Sequence, residues 1–284
     1  MENSIIKFLF ETKAIQVCSE DKPFWYASGT LGPYYINTHY LYGSKEDAEN
    51  LLEFIEECSL SKEECPAKLF AAMMKQYENN SIYKNVIDLV VAECEKVSCD
   101  FISGGERRDF FFSILPAYFT KKPHLSIFKD GTTILSDFEF KKSSIIGRDT
   151  LKGQEALHIV DLVTEASSYV RAWIPAIETT GAKMTHTITI VDRNQGGREI
   201  LEDKGISFKA FALIKQELFN KARKEKYISN NQYEMIHQFI LNPGKFMSMF
   251  IERHPHFLDD QISLGGKAKE RALLFIEKGQ QLNE

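Results

Sequence analysis

Between residues 100 and 214 the chain alternates short apolar, β-rich runs with amphipathic stretches, and this alternation limits the possible folds most. Residues 100–103, 124–128, 157–160, 184–191 and 206–214 read as strands, rich in Val, Ile, Phe and Thr. Helices are expected near 106–120 and 167–180, the second ending at Gly181, a residue suited to the left-handed position after a helix. The polar stretch 129–156, with Gly131, Gly147 and Gly153, is expected to hold a hairpin. Strands alternating with helices imply an α/β fold with a mainly parallel sheet flanked by helices on both faces. Ligands of such sheets bind outside the carboxyl ends of the strands. That rule directs attention to the loops 103–109, 161–168 and 192–198.

The flanks are simpler. Ser28-Gly29 and Gly32-Pro33 punctuate residues 1–43, and residues 34–41 (YYINTHYL) read as a strand. Ser44 with Asp47, and Ser61 with Glu64 and Pro66, signal helix starts, and Ile82, Val86, Leu89 and Val90 mark a third helix. From about residue 215 onward the pattern is helical throughout, as in Met235, Phe239 and Ile240. The expected division is therefore residues 1–214, with small hood elements within about 1–43, followed by a helical extension over 215–284.

A net charge of -5 argues against nucleic acid as a partner, because a phosphate backbone calls for clustered positive charge. The five cysteines (Cys18, Cys58, Cys65, Cys94 and Cys99) are odd in number and lack C-x-x-C spacing, which fits reduced thiols better than a disulfide or metal framework. No basic leader precedes an apolar run at Met1, and no run approaches the ~20 residues of a spanning helix. A soluble cytoplasmic protein with no membrane partner is expected.

Four segments carry possible chemistry, and each has a plain structural alternative. Residues 157–169 (LHIVDLVTEASSY) run from a strand through Asp161 into a turn and a helix, whose first N–H groups suit a phosphate; Glu165 or Ser167 could equally just cap that helix. Residues 103–113 (SGGERRDFFFS) combine Gly104-Gly105, which would let backbone approach a ligand, with Arg107 and Arg108, which suit a pyrophosphate; the alternative is a surface salt-bridge cluster of Glu106, Arg107, Arg108 and Asp109. Residues 190–199 (IVDRNQGGRE) offer Arg193 to a carboxylate, or simply form a turn with an Asp–Arg pair. Residues 24–35 (FWYASGTLGPYY) could close over a planar ligand, or form an ordinary apolar hairpin.

In order and spacing these segments resemble the type I phosphoribosyltransferases, specifically the orotate phosphoribosyltransferases. Phe24–Tyr35 is similar to the family's F-x-L-K-S-G-x-x-S-P-Y-Y stretch, Ser103–Arg108 to its pyrophosphate loop, and Pro123–Asp130 to its P-x-x-x-x-R-K-E segment. Val160–Ser168 stands where V-D-D-V-x-T-x-G-x is expected, and Val191–Gly197 resembles V-D-R-x-x-G-G. The resemblance implies a transferase of pyrimidine biosynthesis that moves 5-phosphoribosyl from phosphoribosyl diphosphate to a pyrimidine-type base and releases pyrophosphate. It implies Mg²⁺ carried mainly by the substrate, and a homodimer. It also implies roles: Asp161 and Lys129 as catalytic residues; Arg107, Arg108, Thr164, Glu165, Ala166, Ser167 and Ser168 around the phosphates; Tyr34, Tyr35 and Arg193 at the base.

Several positions depart from the family pattern. Leu162 replaces the second acid, Glu165 stands at a Thr position, Ser167 at a Gly, Ala27 at a Lys and Phe128 at an Arg. Residues 131–135 contain neither the Lys nor the His of the family's flexible loop, and Lys141 and Lys142 come later. The alternative to an active transferase is a ligand-binding or regulatory protein on the same fold, without turnover.

Overall fold

The computed structural model describes residues 2–19, 22–26 and 28–281. The chain divides into two compact units, Met1–Ala14 with Asn37–Ile214, and Ile15–Ile36 with Lys215–Glu284.

The first unit is built on a seven-stranded sheet in the order Ser207–Leu213, Lys183–Asp192, Glu155–Val163, Phe101–Gly105, His124–Ile127, Thr133–Ser136 and Ser143–Ile146. The first five strands run parallel. The last two pair antiparallel and form the hairpin expected within 129–156. Helices flank the sheet, so the fold is the mainly parallel α/β architecture that the alternating pattern implied.

Each central strand serves two layers, because successive side chains point to opposite faces. Along Glu155–Val163, Ala156, His158 and Val160 meet the layer containing Tyr169, Trp173 and Ile177. Leu157 and Ile159 are equally buried, toward the other layer, where the helix Phe110–Phe119 packs. That helix lies between the sheet and the helices Cys65–Asn79 and Ser81–Cys94. Enclosure on all sides explains why three consecutive aromatics, Phe110, Phe111 and Phe112, can all be fully buried.

Local rules account for most helix starts. The Ser44 side chain accepts the Asp47 N–H at 3.0 Å ahead of Lys45–Cys58, and Asn80 accepts the Tyr83 N–H at 2.9 Å ahead of Ser81–Cys94. Ser61 differs from expectation. It closes a short 3-10 turn, Ser59–Ser61, and the helix Cys65–Asn79 begins with Pro66 in its first turn, where the missing N–H needs no partner. The strand expected over 34–41 also stops early, at Ile36. Its partner, Ile15–Val17, offers only three residues, and beyond it Thr38–Tyr42 coil into a buried 3-10 turn.

Two histidines are wholly buried in the sheet. His124 lies 3.0 Å from both Ser113 Oγ and Ser126 Oγ, and His158 Nδ1 lies 2.9 Å from Ser103 Oγ. Burial pushes both imidazoles down to about 3, so they stay neutral. All five cysteines are buried thiols.

In the second unit, Ile15–Val17 pairs antiparallel with Tyr34–Ile36 and Phe24–Trp25 with Leu31–Gly32. Five helices from Gln216 to Gln281 complete it, in line with the helical pattern read from the sequence after residue 215. Its core is aromatic. Tyr34 packs against Phe219 and Phe239 with ring centroids at 5.1 and 5.8 Å, and Trp25 stacks on Phe257 at 5.7 Å. No helix among the described residues is long and apolar enough to cross a membrane.

Candidate functional site

Three neighbouring parallel strands end side by side: Phe101–Gly105, His124–Ile127 and Glu155–Val163. The segments that leave them line a cavity of about 290 Å³, formed by residues 106–109, Lys129, residues 160–164 and 166–169, and Trp173.

The first wall is the loop after Gly105. Both glycines have a packing reason rather than a ligand-approach one. A Cβ on Gly104 would lie 2.1 Å from Ser113 Oγ, and one on Gly105 would lie 2.4 Å from Trp173 Cζ2. They let the buried helix and Trp173 close against the strand end. The Glu106–Arg107 peptide beyond them is cis. The Glu106 side chain, only 8% exposed, accepts the Lys129 N–H at 3.1 Å and lies 3.6 Å from Lys129 Nζ. Arg107 pairs with Glu56 of the helix Lys45–Cys58. Arg108 is exposed at the mouth.

The second wall follows Asp161. Sequence reasoning ended the strand there, but pairing of Leu162 with Val191 and Val163 with Asp192 carries it to Val163. The turn at 164–168 then reverses the chain. Ala166 adopts φ +51, a conformation unusual for a residue with a Cβ and a mark of over-determined local structure. Gly197 N–H donates to Thr164 O at 3.0 Å, and a Cβ on Gly197 would lie 2.4 Å from that oxygen, so the Gly196-Gly197 turn is what seats 164–166. Val170 N–H donates to Ala166 O at 3.1 Å. Among the described residues the N–H groups of Ser167 and Ser168 donate to no protein acceptor.

The floor holds two carboxyl groups. Asp109 and Asp161 are 7% and 8% exposed, and the Asp161 N–H donates to Asp109 Oδ1 at 3.2 Å. Burial raises the pKa of both. The Asp161 charge raises Asp109 further, whereas the Arg108 charge opposes the rise at Asp161. Like charges this close favour sharing one proton between them. The second carboxylate oxygen of Asp161, Oδ2, is buried and has no hydrogen-bond partner. A buried acceptor without a partner is costly, and it is satisfied by a ligand or solvent donor.

Of the residues singled out in the sequence, Arg107, Arg108, Lys129, Asp161, Thr164, Ala166, Ser167 and Ser168 all line this one cavity. Glu165 does not; it is exposed on the outside of the turn. Arg193 is half-buried beside the lining, its N–H donating to Val163 O at 2.9 Å. Tyr34 and Tyr35 belong to the second unit, where Tyr34 is buried among aromatics and Tyr35 is 36% exposed. Ala27 lies outside the described residues. Sequence reasoning treated Glu106 and Asp109 only as members of a surface ion cluster, and it gave Tyr169 and Trp173 no place at the site. A signal for Asp109 did exist: an acid immediately before a run of three Phe is poorly placed for a solvated surface.

No group of three or more His, Cys, Asp or Glu side chains among the described residues is arranged to hold a metal ion. No family model matches the chain. Over 121 residues it is 27% identical to an adenine phosphoribosyltransferase of Mycoplasma mobile, covering 40% of this chain and 70% of that one. Over 94 residues it is 28% identical to an orotate phosphoribosyltransferase of Sulfolobus acidocaldarius, covering 33% of this chain and 47%, less than half, of that one. The crystal structure of the orotate phosphoribosyltransferase of Francisella tularensis superposes with a TM-score of 0.53 at 13% identity, covering 82% of this chain and 96% of that one. With a mainly parallel sheet, a cavity at its carboxyl end and similarity to both adenine and orotate enzymes, the chain resembles the type I phosphoribosyltransferases.

Proposed function

We propose that the cavity binds 5-phosphoribosyl 1-diphosphate and that the protein transfers the phosphoribosyl group to an orotate-type pyrimidine base, releasing pyrophosphate. The observation that carries this reading is the convergence of Arg107, Arg108, Lys129, Asp161 and the 164–168 turn on one volume, with Asp161 Oδ2 unpartnered. In this reading Asp161 holds ribose hydroxyls. The backbone of Thr164, Ala166, Ser167 and Ser168 cradles the 5-phosphate, with Glu165 turned to solvent. Arg107, Arg108 and Lys129 offset the charge of the departing pyrophosphate. Arg193 grips a carboxylate on the base, which favours an orotate-type over an adenine-type acceptor.

A magnesium ion fits this donor set. Mg²⁺ is commonly held by one or two carboxylates together with substrate phosphates and water, and the unpartnered Asp161 oxygen provides one such ligand. When bound it would supply charge neutralisation at the pyrophosphate.

A second reading, ligand binding without turnover, is favoured by the ion pairs that hold the cations: Arg107 with Glu56, and Lys129 with Glu106. One experiment separates the two. Calorimetric titration with phosphoribosyl diphosphate and Mg²⁺ is followed by product analysis over a panel containing orotate, uracil and adenine. Binding with nucleotide formation from orotate supports transfer, binding without product from any base supports the second reading, and absence of binding overturns both.

A further inference from the structure

We propose that Asp109 is the second acid of the ribose-binding floor, reaching from the loop into the hydroxyl-holding place that Leu162 leaves apolar. This inference rests on the phosphoribosyl reading of the cavity.

A pattern of two adjacent acids places two carboxylates on one strand end. Here the strand supplies only Asp161, and position 162 lines the cavity with an apolar side chain. A second carboxyl is nevertheless present in space. Asp109 lines the same cavity, is just as buried, and is tied to the Asp161 backbone at 3.2 Å. If its task were only to stitch loop to strand, the contact from its Oδ1 would suffice. That task gives no reason to enclose two acids together with an unpartnered carboxylate oxygen, an arrangement that costs stability without a donor-rich ligand.

A vicinal diol supplies what the pair lacks. Each hydroxyl is one donor and also an acceptor, and the carboxyl oxygens of the two acids are the acceptors those donors need. Because Asp109 belongs to the loop that carries Arg107 and Arg108, the loop would sense the sugar as well as the diphosphate.

The test measures the affinities of ribose 5-phosphate, 2-deoxyribose 5-phosphate and inorganic phosphate by calorimetry. The wild type should prefer ribose 5-phosphate over the deoxy sugar by about tenfold, the scale of one hydrogen bond to a charged group. Asp109→Ala should abolish that preference and leave inorganic phosphate affinity within about twofold. Adding Leu162→Asp to Asp109→Ala should restore it. Should the alanine variant fail to fold, Asp109→Asn, with the same size and one acceptor kept, should reduce the preference by about threefold. A preference unchanged in the variants overturns the proposal, as does a parallel fall in phosphate affinity or a failure of Leu162→Asp to rescue. Absence of ribose 5-phosphate and phosphate binding in the wild type instead removes the phosphoribosyl reading itself.

Discussion

The two walls of the cavity achieve their shape by different means. The turn at 164–168 is made of backbone: its one charged side chain, Glu165, faces solvent, and its geometry depends on Ala166 in a left-handed conformation and on Gly197 behind it. The wall formed by residues 106–109 and Lys129 is made of charged side chains, and two of its three cations are held by acids, Arg107 by Glu56 and Lys129 by Glu106. A backbone wall tolerates varied side chains but not added volume. A charged wall tolerates volume but is retuned by single charge changes. The same difference shows why departures such as Glu165 need not disturb the turn: its side chain lies outside the space that matters.

The largest effect should come from breaking the backbone wall. Gly197→Ala sets a methyl 2.4 Å from Thr164 O, so it should cost about 3 kcal/mol in urea unfolding and lower ribose 5-phosphate affinity more than about tenfold. An unchanged midpoint would mean that the turn is not braced in this way.

The floor between the walls comes next. The Asp161 carboxyl, pushed up from 3.8 to about 6, keeps a proton in the folded chain that the unfolded chain has lost, so its contribution to stability falls as pH rises between those values. Asp109, raised well above 3.8 by burial and by the Asp161 charge, carries a loss of the same sign, and Asp109→Asn removes it. Relative to the parent it should gain about 2 kcal/mol above pH 6 and little below pH 4. Denaturation curves at pH 4, 6 and 8 provide the check, and equal differences at all three would rule out the shared proton.

The charged wall should respond more mildly and in the opposite direction. Glu106→Gln releases Lys129 from an acid only 8% exposed, and pyrophosphate affinity should rise about tenfold while ribose 5-phosphate affinity stays put. Glu56→Gln releases Arg107 from a half-exposed pair, and the gain should be about two- to threefold, disappearing in 1 M salt. If both variants weakened pyrophosphate binding, the acids would be positioning the cations rather than occupying them.

Much of this arrangement is legible in the sequence, for physical reasons. The strands over 124–128 and 184–191 announce themselves because strands buried on both faces become nearly continuous apolar runs, and the edge strand over 206–214 still buries Phe208, Phe211 and Ala212. The turn after Asp161 was legible because its small polar residues stand between a strand and a helix. What escaped depended on distant partners. Asp161 looked like a strand end because an acid interrupts an apolar run, yet the neighbouring strand carries the pairing to Val163. Residues 38–42 look β-rich, but the partner strand Ile15–Val17 is only three residues long and they coil instead. Gly104 and Gly105 suggested a close ligand, whereas Ser113 and Trp173 fill the space they leave. Glu56 opposite Arg107 could not be read at all, since no local pattern joins a helix residue to a distant loop.

The five buried thiols have a consequence for watching this protein open. A thiol reagent needs both access and the ionised form, and burial denies the first while raising the pKa of Cys58, Cys65, Cys94 and Cys99. Labelling of any of them therefore times an opening event rather than a surface collision. Cys18 belongs to the second unit and the other four to the first, so peptide-resolved labelling rates form two separate clocks, one for each unit, within a single native chain.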